Sequence, residues 1–155
     1  MVDHYRLPEG ARILDVGCGK GFLLYELTQL VPGSTGIGID ISHYGLTHAK
    51  EELAGGLVLG TAAQLPFASD SFDLVISVNT LHNLYAYDLH AAFTEIERVS
   101  TGRSYVCVEA YRNEREKVNL LYWQLTCRAF HTPAEWRWLH EQAGYTGDHS
   151  FIYFE

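Results

Sequence analysis

Short apolar segments alternate along the chain with segments whose apolar positions recur at helical spacing. The apolar segments have the length typical of buried strands, and they are residues 12–16, 35–39, 55–60, 74–78 and 104–110. The helical segments are residues 21–30, 42 to about 53, and 89–99. Strands that alternate with helices predict parallel pairing through βαβ crossovers. We therefore expect an α/β fold with a mostly parallel central sheet between two layers of helices.

The last third of the chain carries more aromatic residues and clearer helix boundaries. Residues 113–130 are predicted to form one long helix. A further helix should begin at Thr132, because Glu135 lies three residues later and completes a capping box. Gly144 suits the C-terminal end of that helix. Residues 150–155 are predicted to form the last strand.

Composition and length indicate one globular domain over residues 1–155. Hydrophobic residues make up 47% of the chain and charged residues 19%, which is ordinary for a soluble protein. No apolar run approaches the roughly 18 residues of a membrane span, and the first residues lack the apolar core of an export signal. We therefore expect a cytoplasmic protein that does not enter a membrane.

The charge pattern limits the partners. The net charge is −8 with histidine neutral, which argues against nucleic acid because phosphates attract clusters of Lys and Arg. The same charge does not oppose a cationic ligand. Neither the three cysteines nor the histidines have metal-ligand spacing, so no metal site is expected.

The glycine-rich segment 13–24, ILDVGCGKGFLL, is expected to bring its backbone close to a ligand. A phosphate loop requires GxxxxGK[ST], and no hydroxyl residue follows Lys20. A dinucleotide loop requires GxGxxG, and Phe22 occupies the third glycine position, where it would obstruct close packing of helix on strand. The pattern present is instead D-x-G-x-G-x-G, beginning at Asp15.

That pattern resembles motif I of the class I S-adenosylmethionine-dependent methyltransferases, in their small-molecule type. Four later segments are similar to the family in the same order: GIGIDIS, AAQLPFASDSFDLVISVNTLHNL, AFTEIERVSTGRSYVCVE and TPAEWRWLHEQAGY. The resemblance implies a Rossmann-like fold and S-adenosylmethionine as cofactor, with S-adenosylhomocysteine as its product. It implies methyl transfer to an oxygen or nitrogen of a small molecule.

The resemblance also implies which residues bind the cofactor. Gly17 and Gly19 would line its methionine and ribose parts, and Cys18 between them would contribute backbone only. Asp15 would orient the loop and the amine of the ligand. Asp40, at the end of the second strand, would accept hydrogen bonds from both ribose hydroxyls, a task suited to a carboxylate.

The adenine side of the cofactor is implied by a second group of residues. Ile41 would pack on the adenine ring, with Ala62 and Ala63 near it. Thr61 stands where the family often has an aspartate that accepts from the adenine amino group, and a hydroxyl accepts more weakly. Asn79, just past the fourth strand, would face the methionine part through its backbone.

The sequence says less about the residues that would bind and activate the methyl acceptor. His82 and Glu109 follow the fourth and fifth strands, and they are the candidate catalytic residues because a hydroxyl acceptor usually needs a base. Alternatively His82 packs at a helix start, and Glu109 holds Arg112 or backbone amides. The late aromatic residues form either a core or dimer face, or a stacking floor for the acceptor: Tyr85, Tyr87, Tyr122, Trp123, Phe130, Trp136 and Trp138.

The chain departs from the family at both ends. The family usually places one or two helices before its first strand and a hairpin of two strands at its end, so we expect an abridged C-terminal end here. The missing cover of the site could come from a partner subunit, and a homodimer is one such arrangement. Two other functions stay open: a non-catalytic module that binds the cofactor or its product, and a nicotinamide-dependent dehydrogenase.

Overall fold

Six strands form one parallel sheet in this computed structural model, which describes residues 1–155. They are Arg12–Val16 (β1), Thr35–Asp40 (β2), Leu57–Leu59 (β3), Leu74–Val78 (β4), Ser104–Glu109 (β5) and Asp148–Ile152 (β6). Their order is β3-β2-β1-β4-β5-β6, and every neighbouring pair is parallel. The chain moves outward on one side of β1 and then crosses to β4 on the other side. The crevice between the carboxyl ends of β1 and β4 is therefore the expected ligand site.

Helices cover both faces of the sheet. The α-helices are Val2–Tyr5 (α1), Phe22–Leu30 (α2), His43–Thr47 (α3), Ala86–Val99 (α4), Glu114–Trp123 (α5) and Pro133–Ala143 (α6). Two 3₁₀ turns span Glu51–Gly56 and Leu81–Asn83. No helix has both the length and the apolar character required to cross a membrane.

The alternating faces of the strands build two hydrophobic cores. On β4, Val75 belongs to the core formed with α4 and α6, whereas Leu74 and Ile76 belong to the core formed with α2. Strands buried on both faces in this way read as continuous apolar runs, which is why they were predictable. The three-layer Rossmann-like fold expected from the sequence is confirmed.

The predicted start and end of α6 are also observed. The Thr132 side chain accepts a hydrogen bond from the backbone N–H of Glu135, whose carboxylate accepts in return from the N–H of Thr132. Gly144 ends the helix in the left-handed conformation, with φ of +69°. Local chemistry alone therefore defined both boundaries.

Several predicted elements are shorter than expected. The helix predicted from residue 42 to about residue 53 divides into α3 and the turn Glu51–Gly56, because the N–H of Lys50 bonds to the carbonyl of Lys20 in the glycine loop. The helix predicted over 113–130 ends at Trp123. Beyond it, the N–H groups of Arg128 and Ala129 donate to the carbonyl of His82, at 2.8 and 2.9 Å, instead of to helical carbonyls.

The sheet edges differ from prediction in a similar way. The strand predicted over 55–60 pairs only at Leu57–Leu59, and the last strand occupies Asp148–Ile152 rather than 150–155. The one-turn helix α1 was not predicted. It is held by Tyr5, whose hydroxyl donates to the Asp148 carboxylate at 2.8 Å and so joins the start of the chain to β6.

Candidate functional site

A cavity of about 280 Å³ opens at the carboxyl ends of β1, β2 and β4. Its lining residues are Gly17, Ile39, Asp40, Ile41, Gly60, Ala62, Asn79, Thr80, Asn83 and Leu84. Of the predicted cofactor residues, the structure brings Gly17, Asp40, Ile41, Ala62 and Asn79 together on this cavity. The cavity occupies the switch point of the sheet, where α/β proteins bind ligands.

The glycine loop is shaped by two different requirements. Gly17 has φ of +83°, and a Cβ there would lie 2.1 Å from the side chain of Thr80. Thr80 in turn donates from its hydroxyl to the carbonyl of Gly17 at 3.2 Å, which joins the loop to β4. At Gly19, with φ of +54°, a Cβ would meet no atom within 4 Å. Gly17 is thus required by the protein's own packing, whereas Gly19 leaves open space beside the loop.

Asp40 fastens the glycine loop to the end of β2. One carboxylate oxygen accepts from the N–H of Gly19 at 2.8 Å, and the other accepts from the N–H of Ser42 at 2.7 Å. Each carboxylate oxygen can accept a second hydrogen bond, so the group can still bind ligand hydroxyls in the cavity. The same side chain therefore positions the loop and faces the site.

Asp15 lies beneath the loop rather than in the cavity lining. Its side chain is only 4% exposed, and burial, followed by the nearby carboxylate of Asp40, raises its pKa to about 7. Removing a carboxylate from water disfavours its charged form, and a second negative charge disfavours it further. A cationic group bound near Asp15 and Asp40 would relieve both effects.

The remaining predicted residues on this side are placed less directly. The Cys18 side chain packs on β2, since a Cβ at Gly38 would lie 2.6 Å from its sulfur, and burial raises the thiol pKa to about 12. Thr61 is exposed and its hydroxyl accepts from the N–H of Ala63 at 3.3 Å. Neither Thr61 nor Ala63 lines the cavity.

The predicted catalytic residues His82 and Glu109 lie together, but below the surface. Each is 2% exposed, and neither lines the cavity. The His82 Nδ1 accepts from the N–H of Glu109 at 3.4 Å, and its Nε2 lies 3.7 Å from Glu109 Oε2. Burial lowers the pKa of His82 to about 4 and raises the pKa of Glu109. The imidazole is therefore neutral at pH 7.

A side chain that sequence reasoning missed completes this buried cluster. The amide of Gln124 donates to Glu109 Oε1, whereas Glu109 Oε2 has no hydrogen-bond partner. Arg112, which was one expected partner of Glu109, instead binds Glu116 and Glu155. Gln124 could not be found from the sequence, because residues 113–130 read as one continuous helix.

Sequence reasoning also missed Thr80 and Asn83, which follow the predicted residue Asn79 after the end of β4. Asn79 has the left-handed φ of +57°, and its N–H donates to the carbonyl of Cys107 at 3.0 Å. This turn places Thr80 against the glycine loop and Asn83 on the cavity. Both follow a predicted strand at its carboxyl end, and that position is the signal that could have identified them.

The comparisons with known proteins agree with this geometry. The family described as a methyltransferase domain matches residues 14–108, which run from Leu14 in β1 through the glycine loop to Val108 in β5. The demethylmenaquinone methyltransferase of Roseiflexus sp. (strain RS-1) is 35% identical over 121 residues, which cover 75% of this chain and 50% of that protein. A tRNA (carboxymethyluridine(34)-5-O)-methyltransferase of Arabidopsis thaliana is 33% identical over 74% of this chain and 28% of its own length.

A solved structure extends the likeness to the fold. The methyltransferase crystallised with the Trm112 activator of Haloferax volcanii superimposes with a TM-score of 0.73 at 27% identity, over 92% of this chain and 66% of that one. The chain spans about half the length of the Roseiflexus relative. With the glycine loop, the acidic end of β2 and the parallel sheet in place, the chain belongs to the class I S-adenosylmethionine-dependent methyltransferases.

Proposed function

We propose that this chain binds S-adenosylmethionine in the cavity at the carboxyl ends of β1, β2 and β4, and transfers the methyl group to an oxygen or nitrogen of a small molecule. One observation carries the proposal: the Asp40 carboxylate binds the N–H of Gly19, so that the acidic residue and the glycine loop form one side of the same cavity. S-adenosylmethionine has hydroxyls, an amine and a positive sulfonium, which match carboxylates and open backbone.

The residues present fit this cofactor. Asp40 retains accepting capacity for two ribose hydroxyls, and the buried carboxyl of Asp15 favours a neighbouring cation. Gly17 and Gly19 would lie along the methionine and ribose parts, and the backbone of Asn79 would face the methionine end. Bound there, the cofactor supplies an activated methyl group.

We place the adenine end of the cofactor at the exposed rim of the cavity, formed by Ile41 and Ala62. Ile41 is 75% exposed and lines the cavity together with Ala62, so both can contact an apolar ring. Ala63 and Thr61 stand beside that rim without lining it in the present arrangement. We therefore propose that Thr61 and Ala63 lie near the adenine ring. Cys18 would contribute only its backbone to the site.

A small acceptor agrees with the charge of the chain. The net charge of −8 opposes a polyanion such as RNA, although one relative is a tRNA methyltransferase. We therefore propose a small-molecule acceptor. The cytoplasmic location expected from the sequence stays a prediction.

We propose that His82 and Glu109 position the acceptor side of the site. A neutral imidazole whose pKa is about 4 is a weak base at pH 7, and neither residue reaches the cavity. His82 does, however, hold the segment after α5 through its carbonyl, which accepts from Arg128 and Ala129. Direct proton abstraction by His82 or Glu109 remains a prediction.

A second function is favoured by the exposure of the site. Ile41, Tyr44 and Phe22 are all more than half exposed around the glycine loop, so the described residues leave the cavity uncovered. A chain that binds the cofactor or its product for a partner, including a second copy of itself, would show this arrangement. Transfer of labelled methyl groups into fractions of a cell extract separates the two functions, since a binding module transfers none.

Calorimetric titration tests the cofactor site. We expect S-adenosylhomocysteine to bind and NADH not to bind, because the loop lacks the third glycine of a dinucleotide site. Asp40→Ala should weaken binding by about 1.5–3 kcal/mol, the contribution of charge-assisted hydrogen bonds. The matched control is Asp3→Ala, which removes an exposed carboxylate from α1 and should leave the affinity unchanged. Equal affinities for both variants would remove Asp40 from the site.

A further inference from the structure

Arg128 is an exposed cation without an acidic partner. Arg98 and Arg112 bind carboxylates, but no carboxylate lies within 4.0 Å of the Arg128 guanidinium, which donates no hydrogen bond to the protein. It lies instead 5.2 Å from the centre of the Tyr85 ring. Tyr85 stacks on Tyr87, with ring centres 5.5 Å apart and planes inclined by 13°. The guanidinium and two aromatic rings thus form one exposed surface, the Arg128–Tyr85–Tyr87 stack.

Two hydrogen bonds tie the segment that carries Arg128 to the turn after β4. The N–H of Arg128 donates to the carbonyl of His82 at 2.8 Å, and the hydroxyl of Thr126 donates to Asn83 Oδ1 at 2.8 Å. Asn83 and Leu84 line the cavity, and Tyr85 follows them directly. The guanidinium lies over Tyr85, which is the residue directly after the cavity-lining Leu84, and the stack itself lies outside that lining.

The charges around the site are divided between its two sides. The β1 and β2 side has the carboxyl groups of Asp15 and Asp40, which suit a cationic cofactor. The β4 side has the Arg128 guanidinium and the side-chain amide of Asn83, whose oxygen is already occupied by Thr126. The Glu109 carboxyl on this side is buried, and burial raises its pKa and so disfavours its charged form. The amide nitrogen of Asn83 and the guanidinium remain as donors on that side. A protonated amine would be repelled there, whereas an anionic oxygen group would be attracted.

We propose that the methyl acceptor carries a carboxylate attached to a planar group, and that Arg128 binds that carboxylate beside Tyr85. This inference rests on the proposed methyl-transfer function. The guanidinium offers a planar pair of N–H donors that matches a carboxylate, and a lysine ammonium offers no such pair. The cation–π contact with Tyr85 holds the guanidinium over that ring, and its N–H groups, which donate to no protein atom, remain for the acceptor.

Binding of two matched probes, benzoate and benzamide, tests the inference. They have nearly the same shape, and only benzoate is charged at pH 7. The chain is first saturated with S-adenosylhomocysteine, and probe affinity is then measured by titration followed with NMR. We expect benzoate to bind at least about tenfold more tightly than benzamide, as charge-assisted hydrogen bonds predict. Arg128→Gln should abolish this preference, and Arg128→Lys should retain only part of it.

The control is Arg137→Gln, which removes the same charge from an exposed position on α6 that has no contact with the Tyr85 ring. It should preserve the benzoate preference. The inference is overturned if wild type binds the two probes equally, if it binds neither, or if Arg128→Gln keeps the preference. Failure of S-adenosylhomocysteine to bind in the first step would overturn the proposed function instead, so the two failures are distinguished.

Discussion

Asp15 couples the electrostatics of the site to the stability of the fold. Its pKa is about 7 in the folded protein and 3.8 in the unfolded chain, so between these values the folded state holds the extra proton. The free energy of unfolding therefore falls as pH rises from about 4 to 7, by up to roughly 4 kcal/mol. Asp15→Asn removes this loss, because its side chain never ionises.

We expect Asp15→Asn to stabilise the ligand-free chain by about 2–4 kcal/mol at pH 8 and by much less at pH 4. Urea unfolding at the two pH values measures the difference. The same variant should bind S-adenosylhomocysteine more weakly, because it lacks the carboxylate that favours the ligand amine. An equal stability change at both pH values would show that Asp15 ionises normally in the folded protein.

In the glycine loop, one glycine is required for packing and another leaves space for a ligand. A Cβ at Gly17 would overlap the Thr80 side chain, at 2.1 Å, whereas a Cβ at Gly19 would meet open space. We expect Gly17→Ala to destabilise the fold by at least about 2 kcal/mol, and Gly19→Ala by only about 1 kcal/mol, the cost of its left-handed backbone. Thermal unfolding measures both costs.

Ligand binding then distinguishes the two glycine positions further. Gly19→Ala should remain folded yet bind S-adenosylhomocysteine poorly, because the added methyl group projects into the open space beside the loop. Thr80→Gly combined with Gly17→Ala should recover part of the lost stability, since it removes all three overlapping atoms of Thr80, the Cβ at 2.6 Å included. If Gly19→Ala bound the ligand normally, the ligand would not lie against this part of the loop.

Elements were predictable from the sequence where local chemistry determines them. β1, β4 and β5 are apolar runs buried on both faces, and α6 has its capping box and its glycine. The segment after Trp123 was not predictable, because its N–H groups bond to His82, which is distant in sequence. Residues whose role depends on that segment, such as Gln124 and Arg128, were missed for the same reason.

At the scale of the whole molecule, the aromatic residues divide between core and surface. Trp136 is fully buried and donates from its ring to the carbonyl of Glu109 at 3.0 Å, so it supports β5 from the α6 side. Tyr122, Trp123 and Trp138 are exposed instead. The sequence could not distinguish these two sets, because helical spacing locates a residue on a face only once the end of the helix is known.

Two buried histidines should make the whole fold sensitive to acid. Burial lowers the pKa values of His82 and His140 to about 4, against 6.5 in the unfolded chain, and His149 beside His140 lowers its value further. The unfolded chain therefore binds more protons between these pH values, and the free energy of unfolding falls as pH decreases from 6.5 to 4. Each histidine contributes up to roughly 3 kcal/mol, and the proton held by Asp15 offsets part of the total.

His140 offers the cleaner test, because neither of its ring nitrogens has a hydrogen-bond partner, whereas His82 Nδ1 accepts from Glu109. We expect His140→Leu to change stability by less than about 1.5 kcal/mol at pH 7.5, as for other volume-conserving core substitutions. At pH 4.5 it should be about 2–3 kcal/mol more stable than wild type, since leucine takes up no proton on unfolding. Urea unfolding at both pH values measures this difference. A difference independent of pH would mean that His140 has the same pKa in the folded protein as in the unfolded chain.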